Sequence, residues 1–149
     1  MLLPTESLEQ LAKKALELWS IDAESIQLFS QSENTVFMIK DRAGKDYALR
    51  VHRPGYHTRA ELKSEQQWTE FLSEKGIAVP TALKSKDGRY YEMVSMAGTE
   101  ETRQIGVVDW VGGVPLSDLL QDDLSENRIR GTFRTLGSLM ANFHFCLLY

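Results

Sequence analysis

The segment Tyr47-Ala48-Leu49-Arg50-Val51-His52 sets a small residue two positions before a long cation. Read as a strand, its side chains alternate, so Ala48 and Arg50 share one face while Tyr47, Leu49 and Val51 take the other. A small side chain leaves room for a flat base over the sheet. An arginine beside it reaches anionic oxygens, and a nucleotide site needs both. Further along, Glu65 falls at helical spacing with Leu62, Trp68, Thr69 and Leu72, which puts a carboxylate on an otherwise apolar stripe. A carboxylate turned toward a core needs a partner, and Arg50 suits it. Taken alone, the two also fit a surface arginine and a glutamate at the edge of a stripe.

Other chemistry-bearing residues are sparse. His52, His57 and His144 have no metal-ligand spacing, and none sits in a useful cluster with cysteine or carboxylates. Asp122-Asp123 reads as a solvated turn in a polar linker before Ser125. Cys146 is the one cysteine, which excludes an intramolecular disulfide and fits a reducing compartment. No catalytic or metal-binding residue is assigned.

The 149 residues suffice for one core, and 42% hydrophobic with 26% charged residues is ordinary for a soluble globular chain. A net charge of -4 argues against a nucleic-acid surface. No apolar run approaches a membrane span, and the first residues do not form a secretory signal, so the expected location is cytoplasmic.

The elements that must hold Ala48, Arg50 and Glu65 follow from periodicity and turn chemistry. Thr5 is expected to cap a first helix with Leu8, Leu11, Ala12, Ala15, Leu16 and Trp19 on its apolar face. Strands are expected over 26–30, 35–40 and 46–52. Thr58 and Glu61 have capping-box spacing and Gly76 stands where a helix ends, predicting a helix over 59–75 that crosses one face of the sheet. Short strands near 81–85 and 89–95 flank the Asp87-Gly88 turn. Residues 96–102 read as an exposed loop, 104–111 as a buried strand, and 116–121 as a short helix. A longer helix capped by Ser125 carries Ile129, Phe133, Leu136, Met140 and Phe143 at helical spacing. The fold class is α+β, an antiparallel sheet of about five strands with a packed helix.

Five segments in order resemble the amino-terminal lobe of the aminoglycoside phosphotransferase and choline kinase-like family, relatives of protein kinases. They are Ser32-Glu33-Asn34-Thr35-Val36-Phe37, Tyr47 through Pro54, Ser64-Glu65 before Trp68 and Leu72, Val108-Asp109-Trp110-Val111-Gly112-Gly113, and Leu136-Gly137 through His144. The resemblance implies a kinase-like small lobe over 1–111 and a linker with the first helices of a large lobe over 112–149. It implies ATP as cofactor, with magnesium expected for the family. Ser32, Glu33 and Asn34 would cover the phosphates, although this turn lacks the glycines of protein kinases. Val36 and Ala48 would roof the adenine, Arg50 would stand where most kinases carry lysine, and Glu65 would hold it. The Asp109, Trp110 and Val111 backbone would meet the adenine edge. Each segment also fits plain structure: a good turn, core residues, or the end of a strand.

Catalysis in that family needs an H-x-D-x-x-x-x-N motif and a second, metal-holding aspartate, and no H-x-D occurs in this sequence. The expectation is a fragment of a small-molecule phosphotransferase with part of a nucleotide site, weak nucleotide binding and no activity of its own. A truncated product and a small lobe completed by a partner chain both remain open. So does a non-catalytic interaction module that associates through its carboxy-terminal helix. Aminoglycosides, homoserine, choline and other small hydroxyl compounds are all open as acceptors.

Overall fold

The computed structural model describes residues 4–119 and 125–147. Two compact units divide the chain, one comprising residues up to Thr69 and Pro80–Trp110, the other Glu70–Val79 and residues from Val111 onward. The first unit holds α1 (Thr5–Trp19), β1 (Ala23–Gln31), β2 (Asn34–Asp41), β3 (Asp46–His52), most of α2 (Arg59–Glu74), β4 (Tyr91–Ser95) and β5 (Thr102–Asp109). Its five strands form one sheet in the order β1-β2-β3-β5-β4, antiparallel throughout. The α+β small-lobe architecture expected from the sequence is the one observed.

The core lies on one face of this sheet, and α1 is the helix that covers it. All six apolar positions expected on α1 are buried against Phe37, Ile39, Tyr47, Leu49, Val51, Ile105 and Val107. The Trp19 indole N–H donates to Leu83 O at 3.0 Å, which satisfies the one polar atom of a buried indole. Thr5 does not cap this helix. Pro4 occupies that position, its carbonyl accepts the Leu8 N–H, and Thr5 is already helical.

The capping box holds as read, with Thr58 N–H donating to Glu61 Oε2 at 2.6 Å and Glu61 N–H to Thr58 Oγ1 at 3.2 Å. Gly76 ends the turn after α2 at φ +78°, a left-handed conformation that glycine adopts without strain. The stripe of α2 is only partly buried, however. Leu62 and Gln66 are buried, whereas Trp68, expected on the buried side, is 40% exposed. The sheet's apolar face is already taken by α1, so α2 meets the opposite and more polar face through Glu65.

Strand boundaries depart from expectation: β1 runs from Ala23 rather than 26, and β5 ends at Asp109 rather than 111. The 81–85 segment is a single bridge rather than a strand: Ala82 pairs with Val108, Leu83 N–H donates to Val107 O, and Asp109 N–H to Thr81 O. β4 starts only at Tyr91 because Arg89 is drawn into a turn by Ser85, Asp87 and the buried Glu92. The Arg89 guanidinium pairs with Glu92 at 2.7 Å, and Ser85 Oγ donates to Glu92 Oε1 at 2.5 Å. Met96, expected in an exposed loop, joins the core, and Thr102 already belongs to β5.

The second unit contains α3 (Leu116–Leu119) and α4 (Glu126–Leu147). Ser125 leads into α4, its carbonyl accepting the Arg128 and Ile129 N–H groups. Ile129, Phe133, Leu136, Leu139, Met140 and Phe145 are exposed along α4. The expected end of the short helix at 120–121, the Asp122-Asp123 turn and residues 148–149 lie outside the described residues. No described helix is long and apolar enough to cross a membrane.

Candidate functional site

Alternation along β3 sorts its side chains as the sequence predicts. Tyr47, Leu49 and Val51 are buried in the core, while Ala48 and Arg50 face the other way and are half-buried. Register then builds rows across that second face. Met38, Ala48 and Val108 stand opposite one another on β2, β3 and β5. One step along, Val36, Arg50, Gly106 and Tyr91 form a row over four strands. An apolar floor thus adjoins a cation on one sheet surface.

Arg50 and Glu65 meet as expected, Arg50 Nη1 donating to Glu65 Oε1 at 2.8 Å. The pair is not buried: the two side chains are 31% and 41% exposed. Such a pair is worth about 0–1 kcal/mol, net of the side-chain entropy it costs. Glu65 by itself therefore biases Arg50 toward the paired rotamer without locking it there. Among the described residues the bond engages Nη1 alone, leaving Nε and Nη2 open to a ligand.

His52 follows on the same strand and is only 3% exposed, with no hydrogen-bond partner for either ring nitrogen among the described residues. Its ring stands edge-on to Tyr91 at 5.6 Å. Burial, reinforced by the Arg50 charge, lowers its pKa to about 4, so the imidazole is neutral at physiological pH. Burial raises the Tyr91 phenol, the Glu65 charge adds to the rise, and Arg50 works against it.

The Ser32-Glu33-Asn34 turn links β1 to β2, with Ser32 and Glu33 exposed. Ser32 N–H donates to Asn34 O at 3.0 Å, and Asn34 Oδ1 accepts the Arg53 N–H at 3.4 Å. The turn is closed by its own bonds, without the help of glycine.

At the end of β5, Asp109 N–H is committed to Thr81 O and Trp110 N–H to Asp46 O. The Asp109 carboxylate pairs with Lys45 Nζ at 2.8 Å and raises that amine's pKa, pinning the β2–β3 turn to the last residue of β5. Trp110 sets its indole edge-to-face on Phe29 of β1 at 4.9 Å, where a bulge between Leu28 and Ser30 releases Phe29 from the ladder. Val111 opens the second unit and is 62% exposed. The structure brings Val36, Ala48, Arg50 and Glu65 together on one face, with the Ser32–Asn34 turn and the Asp109-Trp110 end bordering the same unit.

Met38, Val108, Gly106, Tyr91, His52 and Phe29 were not legible as site residues. The one signal available was Gly106 within an otherwise β-branched run, since a glycine inside a strand marks close approach by another group. A concavity of about 860 Å³ lies between α1 and β1 among Glu9, Lys13, Glu17 and Lys86, away from Arg50. Among the described residues no group of three His, Cys, Asp or Glu could hold a metal ion.

A small lobe with a cation–carboxylate pair between strand and helix, beside a shallow apolar floor, defines a kinase-like phosphotransferase fold. The profile of the phosphotransferase enzyme family matches residues 25–146, and the chain belongs to that family. Among solved structures, it is similar to a microcompartment-associated aminopropanol kinase, with 29% identity and a TM-score of 0.70 over 91% of this chain and 39% of that one. It shares the fold of the amicoumacin kinase hAmiN, solved in complex with AMP-PNP, Ca²⁺ and Ami. That match has 24% identity and a TM-score of 0.62 over 74% of this chain and 33% of that one. The chain thus spans about two fifths of the first protein's length and a third of the second's. A search of curated proteins finds no match.

Proposed function

We propose that this chain supplies the nucleotide-binding face of an ATP-dependent phosphotransferase that acts on small hydroxyl-bearing molecules. The observation that carries this reading is the Arg50–Glu65 bond on the same sheet face as Ala48. Val36, Met38, Ala48 and Val108 offer adenine a flat apolar roof, made shallow at its centre by the alanine. The Phe29–Trp110 pair adds aromatic surface beside it. Arg50 directs its two spare nitrogens, Nε and Nη2, at phosphate oxygens, and Glu65 biases the guanidinium toward that pose. The exposed Ser32-Glu33-Asn34 turn covers the phosphate end.

In the transfer itself the bond from the terminal phosphorus to the bridging oxygen of ATP breaks, a bond to the acceptor oxygen forms, and ADP leaves. The contribution of Arg50 is to neutralise and orient the leaving oligophosphate, an electrostatic role. With no H-x-D in the sequence, no residue of this chain is assigned the hydroxyl proton, and no step is assigned to a metal. The amicoumacin kinase structure with AMP-PNP supports a nucleotide as phosphate donor, and the aminopropanol kinase supports a small alcohol as acceptor. A protein-docking role is the second reading, favoured by the exposed apolar residues of α4.

One roof and one cation, with no metal, give weak affinity, near millimolar or about -4 kcal/mol. Titrating the ¹⁵N-labelled chain with ATP tests the reading. Amide shifts are expected at residues 32–36, at Met38, Ala48 and Arg50, and at residues 109–111, and Arg50→Ala abolishes them. A response confined to α4 instead favours protein docking.

A further inference from the structure

We propose that Tyr91, lying across the bare backbone of Gly106, is a positioning residue that holds the Arg50 guanidinium in place beside Glu65. This inference rests on reading Arg50 as the phosphate-contacting cation. It starts from the weakness of a half-exposed pair made through one nitrogen, worth about 0–1 kcal/mol net, which leaves unpaired rotamers of Arg50 within thermal reach. A pair that weak leaves room for a second restraint, and the cross-sheet row offers one.

Arg50 and Tyr91 both pair with Gly106, one from β3 and the other from β4, so the glycine lies between them. A Cβ at position 106 would come 2.9 Å from Tyr91 Cε1, closer than real Cβ atoms approach, and 3.0 Å from Cδ1. The ring therefore occupies the space that the missing side chain vacates and leans along the row toward Arg50. That glycine weakens a strand, so its presence here marks the volume as needed for the ring. The Glu65 and Arg50 charges both bear on the Tyr91 phenol, one raising and the other lowering its pKa. His52 backs the ring edge-on and stays neutral, adding no second positive charge beside Arg50. Among the described residues the Tyr91 hydroxyl takes no hydrogen bond, so the ring rather than the hydroxyl does the positioning.

The test is an NMR measurement of the Arg50 Nε–H resonance in the full chain, assigned by its disappearance in Arg50→Lys. In the unsubstituted chain this signal should be dispersed, with a heteronuclear NOE close to that of the β3 backbone. Tyr91→Ala should collapse it to the value of a free arginine, while the Leu49 and Val107 amides keep their shifts. Tyr91→Phe should restore it. Gly106→Ala should reproduce the collapse by pushing the ring aside, and it provides the test if Tyr91→Ala fails to fold. Titration with ATP should weaken about tenfold in Tyr91→Ala. An Arg50 signal that stays ordered in a folded Tyr91→Ala or Gly106→Ala chain overturns the proposal. If the unsubstituted chain does not bind ATP yet the signal depends on Tyr91, the nucleotide reading fails and the positioning role stands.

Discussion

Arg50 and Glu65, fifteen residues apart in sequence, are joined by one 2.8 Å hydrogen bond between β3 and α2. Both side chains stay partly open to solvent, which fits the role proposed for Arg50 and does not mark the pair as a core-stabilising one. Glu65→Gln should change folding stability by less than about 1 kcal/mol. It should also weaken ATP binding, because an uncharged partner no longer anchors the guanidinium. Denaturant unfolding and an ATP titration of the same variant separate the two effects. A stability loss several times larger would mark the pair as structural.

Adjacent residues on β3 should respond in opposite ways. Leu49 is fully buried against α1, so Leu49→Ala should cost about 3 kcal/mol of stability. Ala48 faces the other side, where Ala48→Phe fills the proposed adenine roof at little cost to the core. Urea unfolding should register the first substitution and nucleotide titration the second. A roof variant that binds ATP as before would remove Ala48 from the site.

His52 makes stability depend on pH. Its folded pKa of about 4 lies below the unfolded value near 6.5, so between them the unfolded chain binds the extra proton. Stability is therefore full above the unfolded value and declines as pH falls toward 4, by about 2 kcal/mol between neutral pH and pH 5. Arg50 and His57 deepen this effect and Glu65 opposes it. Chemical denaturation across that window should show the loss, and His52→Leu should reduce it. An unchanged slope in the variant would assign the effect to other groups.

The exposed residues of α4 should drive association. Ile129, Phe133, Leu136 and Met140 recur at helical spacing, and burying such side chains is worth about 2 kcal/mol each. Light scattering should find oligomers whose mass falls toward the monomer in Phe133→Glu/Met140→Glu. Monodisperse monomer at high concentration in the unsubstituted chain would count against this.

What the amino-acid sequence determined by itself was local. Alternation put Leu49 and Arg50 on opposite faces of one strand, helical spacing buried six residues of α1, and the Thr58–Glu61 box placed the start of α2. The Arg50–Glu65 pair was also legible, because a carboxylate on an apolar stripe and a cation on a neighbouring strand satisfy each other. Residue pattern alone could not choose which helix covers the core, since α1 and α2 both carry apolar stripes. The sheet has one strongly apolar face, and α1 takes it, leaving Trp68 partly exposed. Nor could pattern reveal that β3 pairs with β5 while β4 stands outside it, the register that lines up Arg50, Gly106 and Tyr91. Residues 81–85 look like a strand yet form one bridge, because β4 already pairs with the first half of β5. His52 reads as an ordinary strand-end histidine until the fold sets the Tyr91 ring edge-on against it. Period and capping act within a few residues of chain, whereas register and burial depend on partners tens of residues away, and only the folded sheet brings those together.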